Sequence, residues 1–277
     1  MLVSFTKMHG LGNDFVVLDE RVSSFRLTKT QLAQIADRRF GVGCDQILII
    51  AASSKAEAIG RYEIFNADGS AAEHCGNGVR CVALYLKDAG AVANDRLKLE
   101  INGAVYQLSF ESDEQIRVDM GEPQFAPKNI PINVAREQSS YDILIDGMKI
   151  PFGCVSIGNP HAVTIVDDVS TALVEKIGAA LQAHEIFPAK VNVGFMQIID
   201  PNRIKLRVFE RGAGETLACG TGACAAVAVG RAWGHLGRMT QVELSGGTLQ
   251  IEWSGENSDV IWMAGPAERV FEGTIDV

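Results

Sequence analysis

The chain predicts an α/β (α+β) fold in which two similar halves descend from an internal duplication. Three observations predict it. Strand-like and helix-like hydrophobic patterns alternate along the chain. Four segments recur in the same order at a nearly constant spacing. Each half also carries one glycine-rich cysteine motif at the head of an apolar stretch.

The recurrence is anchored by "EHCGNGVRC" (73–81) and "ACGTGACA" (218–225), whose cysteines, Cys75 and Cys219, lie 219 − 75 = 144 positions apart. "EIFNADG" (63–69) falls on "RVFERGA" (207–213) at the same offset, with Phe65 over Phe209. "LGNDFVV" (11–17) aligns with "IGNPHAV" (157–163) at 157 − 11 = 146, and "LEINGAVYQLSF" (99–110) with "VELSGGTLQIEW" (242–253) at 242 − 99 = 143. Loop insertions of one or two residues account for the drift. A period this long marks a duplicated domain, since solenoid repeats run about 20–50 residues. The halves are placed at 1–120 with 266–277, and at 121–265.

In chain order, apolar runs predict strands at 15–18, 46–50 and 62–65. Val79, Val82, Ala83 and Leu86 then follow a helical i, i+3, i+4, i+7 spacing that Gly90 ends. A hairpin is expected over 97–110, turning at Gly103. Residues 123–140 carry three prolines and little periodicity, and join the halves. The second half repeats the plan, with strands at 162–166, 194–199 and 205–209 and a hairpin over 242–253 turning at Gly246 and Gly247. Its helix, "ACAAVAVGRAW", is small and apolar on nearly all sides, as a buried central helix must be.

A net charge of −9 over 277 residues argues against nucleic-acid and anionic-membrane partners. Six cysteines are too sparse for a disulfide scaffold. The start, "MLVSFTKMHGLGNDF", lacks a basic region followed by an apolar core, and no apolar run approaches membrane-spanning length. The expectation is a cytoplasmic protein with reduced thiols.

A structural cysteine usually lies within an element, as a small hydrophobe, and that is the expectation for Cys44, Cys81, Cys154 and Cys224. Cys75 and Cys219 instead open helices, where the helix dipole and free N–H groups favour a thiolate. The N–H groups of Gly76, Asn77, Gly220 and Thr221 are suited to a carboxylate. If the halves face each other, a carboxylate held between the helix starts has a sulfur on each face of its α-carbon. One thiolate then removes the α-proton, the opposite thiol returns one, and the configuration inverts. Other readings fit less of the chain. "GTGACA" matches a dinucleotide fingerprint, but "ERGAGETLA" separates it from the preceding strand. A P-loop lacks its Gly-Lys-Ser/Thr, and zinc lacks a Cys-x₂-Cys pair, so no metal is expected. A Cys–His hydrolase using His161 leaves the second cysteine motif unexplained. His74 is assigned no role.

At "CGNGVRC" and "GAGETLACGTGACA" the chain closely resembles the diaminopimelate epimerase family. The resemblance extends through "MHGLGNDFVVLD", "RRFGVGCDQIL", "FNADGS", "IGNPHAV", "VNVGF" and "FERGAGET", which together span nearly the whole chain. It implies two barrel-like sheet halves, each around a central helix. It also implies conversion of LL- to meso-diaminopimelate, a lysine and peptidoglycan precursor, without a cofactor. Carried over motif by motif, Cys75 and Cys219 are the acid–base pair, with His161 and Glu210 beside them. Gly76, Asn77, Gly220 and Thr221 hold the reacting carboxylate. Asn13, Gln46, Asn66, Asn159, Asn192, Glu210 and Arg211 hold the rest of the substrate, Arg211 suiting the remote carboxylate and Glu210 the ammonium. The asparagines also suit turns, especially Asn66 and Asn159. The family's homodimer commonly carries a tyrosine near the C-terminus. Here Phe271 keeps the ring without the hydroxyl, and Val79 stands where alanine is common. The nearest alternative is a proline or hydroxyproline racemase. It shares the two-thiol logic, but its cyclic substrate has no use for Arg211 and the asparagine set.

Overall fold

The computed structural model describes residues 1–72, 76–112 and 115–277. It divides into two compact units, Met1–Val118 with Gly265–Val277, and Asp119–Ala264.

The first unit begins with β1 (Leu2–Gly10) and β2 (Asn13–Asp19), then α1 (Lys29–Ala36), β3 (Gln46–Ala51) and β4 (Gly60–Asn66). These are followed by α2 (Gly76–Asp88), β5 (Arg96–Ile101), β6 (Ala104–Phe110) and β7 (Ile116–Asp119). The C-terminal strand Glu268–Asp276 returns to pair antiparallel with β1. The pairing runs β1–β2 antiparallel, β2–β3 parallel, β3–β4 antiparallel, β4–β5 parallel and β5–β6 antiparallel. The chain crosses from β4 to β5 through α2, the usual route between parallel neighbours. α2 lays Val79, Cys81, Val82, Ala83 and Leu86 against β1, β2 and β3. A second apolar layer gathers Phe5, Val16, Leu18, Phe25, Leu32, Ile35, Ile47 and Ile49. Gly90, at φ 71°, ends the α2 segment in the left-handed region that glycine reaches without strain.

The second unit holds β8 (Tyr141–Ile145), β9 (Met148–Ser156), β10 (Pro160–Ile165), α3 (Val174–Ala183) and β11 (Asn192–Asp200). Then come β12 (Arg203–Glu210), β13 (Gly214–Thr216), α4 (Gly220–Ala232), β14 (Met239–Leu244), β15 (Gly247–Glu252) and β16 (Trp262–Gly265). Here the pairing is β9–β10 antiparallel, β10–β11 parallel, β11–β12 antiparallel, β12–β14 parallel and β14–β15 antiparallel. It repeats the first unit step for step, with α4 in the place of α2. Residues Gly220–Gly230 of α4 are all buried, and the helix packs on β9, β10, β11, β12 and β15. Its small side chains let the backbone come close: a Cβ on Gly222 would lie 3.0 Å from Val208 and 3.2 Å from the Cys219 sulfur.

The fold is mixed α/β, as expected, and every expected strand falls on a strand of the structure, the one expected over 162–166 ending a residue early, at Ile165. The second hairpin turns one residue earlier than expected, because Leu244 pairs with Gly247 and leaves Ser245 and Gly246 in the loop. Several elements have no counterpart in the sequence reading. The β8–β9 hairpin turns on Asp146–Gly147, at φ 50° and 78°. α1 begins at a capping box between Thr28 and Gln31.

Candidate active site

The strand directions gather the motif residues at one end of the sheet in each unit. β2 and β3 run parallel, so their first residues lie side by side; β4 runs against β3, so its last residue, Asn66, pairs with Gln46. α2 starts shortly after that end. The second unit does the same. His161 pairs with Asn192 at the start of β11, and β12 ends on Glu210 next to the Val193–Phe209 pair.

In the second unit, Cys219 caps α4 and is 4% exposed. Its thiol donates to Glu210 Oε2 at 3.2 Å and lies 3.6 Å from Thr221 Oγ1. The other Glu210 oxygen, Oε1, accepts from the Thr216 hydroxyl. Asn159 donates through Nδ2 to Thr221 Oγ1 at 3.4 Å, so its Oδ1 faces His161 Nε2, 2.9 Å away. In that orientation of the Asn159 amide, His161 Nε2 is the donor and carries the proton of the neutral ring. Asn192 is buried, donates to the Pro160 carbonyl at 3.0 Å, and accepts from the Arg211 N–H at 2.8 Å. His161 thus connects to Cys219 through Asn159 and Thr221.

In the first unit, Asn13, Asn77, Gln46 and Asn66 meet in two pairs. Asn77 Nδ2 donates to Asn13 Oδ1 at 3.3 Å, and Gln46 Nε2 to Asn66 Oδ1 at 3.2 Å. Asn66 Nδ2 continues to Ser70 Oγ at 3.1 Å. Gly76 and Asn77 begin α2 and are buried. Cys75, expected as the acid–base partner of Cys219, and its neighbour His74 lie outside the described residues. Phe271 sits on the C-terminal strand, 47% exposed, edge-on to Phe5 with centroids 5.8 Å apart. Cys44, Cys81, Cys154 and Cys224 are buried, as the sequence leads one to expect. Among the described residues, no cluster of three or more His, Cys, Asp or Glu side chains is placed to hold a metal ion. No described helix is long and apolar enough to cross a membrane.

A helix start favours a thiolate, but burial pushes the Cys219 thiol well above its ordinary value, and the Glu210 carboxylate adds to the push. The Thr221 hydroxyl and the Gly222 N–H pull the other way without overcoming it. The Cys219 thiol thus donates to a carboxylate at the head of α4.

The sequence reading passed over several residues that hold this arrangement. Arg80, inside the "CGNGVRC" motif, is 0% exposed and donates to the Gly76 and Pro266 carbonyls and to Asn77 Oδ1. Asp14 binds Lys7 and Arg38; burial opposes its charge, yet those two cations hold its carboxyl below the usual range. Thr216 lies within the "FERGAGET" motif. A basic residue inside an apolar helix was the available signal for Arg80.

Burial also pushes the His161 imidazole down to about 3 from 6.5, with Arg211 adding to it. The unfolded chain therefore takes up a proton below pH 6.5 that the folded chain refuses until about pH 3. Stability from this group is complete above pH 6.5 and is lost as pH falls toward 3. Urea unfolding at pH 7.5 and 5.5 is expected to show the wild type losing about 1.4 kcal/mol more than His161→Gln across that interval. Parallel losses would mean that His161 is not the source.

A family model described as diaminopimelate epimerase matches residues 5–126 and 153–270. A diaminopimelate epimerase of Thioalkalivibrio sulfidiphilus is 48% identical over 278 residues, covering 100% of both chains. One of Alkalilimnicola ehrlichii is 50% identical over 277 residues, covering 99% of each. Among solved structures, a hydroxyproline epimerase from Agrobacterium vitis superposes with a TM-score of 0.72 at 14% identity, over 99% of this chain and 92% of that one. At that identity the likeness is one of fold.

Proposed function

The chain belongs to the diaminopimelate epimerase family, a family of isomerases, and from that premise we propose that it interconverts LL- and meso-diaminopimelate. In this reading one cysteine, as thiolate, takes the α-proton. The electron pair left on carbon delocalises into the adjacent carboxylate, and the other cysteine, as thiol, delivers its proton to the opposite face. Cys75 and Cys219 carry these roles and exchange them when the reaction runs backward. No redox or group transfer is involved: the two thiols exchange protons with the α-carbon, and Glu210 holds the proton that Cys219 gives up before it acts as a base.

The observation that carries the reading is the Cys219 thiol, buried at the head of α4 and 3.2 Å from Glu210 Oε2. A thiol held so far toward its neutral form needs a local acceptor before it can act as a base, and Glu210 is that acceptor. The N–H groups of Gly76, Asn77, Gly220 and Thr221 stabilise the charge that develops on the carboxylate. Asn13, Gln46, Asn66, Asn159, Asn192, Glu210 and Arg211 bind the remaining polar groups, and His161 orders Asn159. The product serves lysine and peptidoglycan synthesis in the cytoplasm, where thiols stay reduced. The protein works as a homodimer that buries Phe271.

LL-diaminopimelate incubated in deuterated water tests this. Product isolated early carries deuterium at the inverted α-carbon, while recovered substrate carries little. No conversion would overturn the function. Equal early labelling of both pools would replace two bases with one.

A further inference from the structure

An asparagine side chain can bind a group of either sign. Its NH₂ takes an anion and its carbonyl oxygen takes a cation, and the two ends have nearly the same shape. Which end faces a ligand is set by the partners on the other side. At the head of α2, two partners leave no choice.

Asp45 is a carboxylate and only accepts. Its Oδ2 receives Asn13 Nδ2 at 3.0 Å and the Asp14 N–H at 3.1 Å, while its Oδ1 receives Arg38 Nη2 at 2.7 Å. The Asn13 NH₂ must therefore point to Asp45, and its carbonyl oxygen turns toward Asn77, whose Nδ2 donates to it at 3.3 Å. At the far end, the fully buried Arg80 guanidinium only donates, and its Nη2 takes Asn77 Oδ1 at 2.9 Å. The run Arg38–Asp45–Asn13–Asn77–Arg80 has an obligate acceptor near one end and an obligate donor at the other. Reversing either amide would set N–H against guanidinium or oxygen against carboxylate.

We propose that Asp45 and Arg80 are positioning residues that fix the amide orientations of Asn13 and Asn77, and so the sign of the substrate group each can bind. The proposal rests on the preceding reading that Asn13 and Asn77 contact diaminopimelate, and it adds what makes them selective. Neither Asp45 nor Arg80 need touch substrate.

Asp45 is the residue to change, because its side chain is 45% exposed and the fold does not depend on covering it. Asp45→Asn keeps the shape but can donate as well as accept, so it no longer dictates the Asn13 orientation. Asp45→Glu changes the length but remains an acceptor. If polarity is what matters, Asp45→Asn raises KM for diaminopimelate about tenfold, as for one lost hydrogen bond, with kcat within about threefold. Asp45→Glu then stays within about threefold of wild type. A role in shape alone predicts the reverse order. The Asn77 side-chain NH₂ signals in an amide NMR spectrum give a readout independent of turnover. They shift in Asp45→Asn, with the effect passed on through Asn13, and they hold in Asp45→Glu. Unmoved Asn77 signals in Asp45→Asn, or equal KM in all three proteins, would overturn the proposal. If the wild type fails to turn over diaminopimelate, the proposed function falls, and the Asn77 signals alone decide the positioning.

Discussion

Cys219→Ala is expected to lose epimerisation by at least about 10³-fold, as befits removal of a group that transfers a proton in each direction. The loss is the same whether LL- or meso-diaminopimelate is supplied, because the ratio of kcat/KM values in the two directions is tied to an equilibrium constant that the enzyme cannot change. What should survive is half of the chemistry. With Cys75 intact, one configuration of the α-carbon still presents its proton to a thiolate, which can remove it and return a solvent proton to the same face. Exchange with deuterated water is therefore expected for one configuration and not the other, without inversion. The fold should barely notice. The sulfur lies in a close-packed position beside Gly222, and its removal costs about 1 kcal/mol, comparable to one buried methylene. Unfolding measured beside exchange separates the readings. A variant that exchanges neither configuration while remaining folded would make Cys219 something other than one of two bases, and substantial epimerisation would remove it from the mechanism.

Much of the architecture could be read from the chain because duplication made each half a check on the other. α4 announces itself as a central helix, since no surface helix can be small and apolar all round. The Asn102–Gly103 hairpin follows from the positive φ that both residues adopt, 50° and 81°. Other signals were of the same kind but had no echo at the 144-residue offset. The Asp146–Gly147 turn and the Thr28–Gln31 capping box are examples. The C-terminal strand pairs with β1 from the far end of the chain, and no local pattern states its partner. The site divides in the same way. Chemistry-bearing residues stand out by motif, but the groups that orient them are chosen by packing. Arg80, Asp45 and Thr216 owe their importance to neighbours distant in sequence or across a turn. The state of Cys219 lay furthest out of reach. A helix start lowers a thiol's pKa and burial raises it; the first effect is visible in "ACGTGACA", whereas the second depends on how completely β12 and Glu210 cover the sulfur.

Glu210→Gln decides what that cover is for. The carboxylate has two opposed effects on the thiol beside it. As a fixed negative charge it disfavours the thiolate, contributing after burial to the raised pKa of Cys219. As a proton acceptor 3.2 Å away it gives the thiol's proton somewhere to go. Glutamine preserves the size and can still meet the Thr216 hydroxyl, but it removes both the charge and the acceptor. If repulsion is the main effect, the variant has a more acidic Cys219, and activity rises or its acid limb moves to lower pH. If acceptance is the main effect, burial still holds the thiol neutral, no local base remains, and kcat/KM falls about 10²–10³-fold in both directions, within the range for losing a general base. The second outcome is expected, because burial is the largest contribution to the raised pKa and glutamine leaves it in place. The pH profile adds an independent sign. Wild type requires the Cys219–Glu210 pair to hold one proton fewer than its full complement, so its acid limb reports the pair rather than either group. In Glu210→Gln that limb moves to higher pH, toward the titration of a buried thiol alone. Retained activity with an unmoved limb would make Glu210 a binding group only, and Cys219 would need another route for its proton.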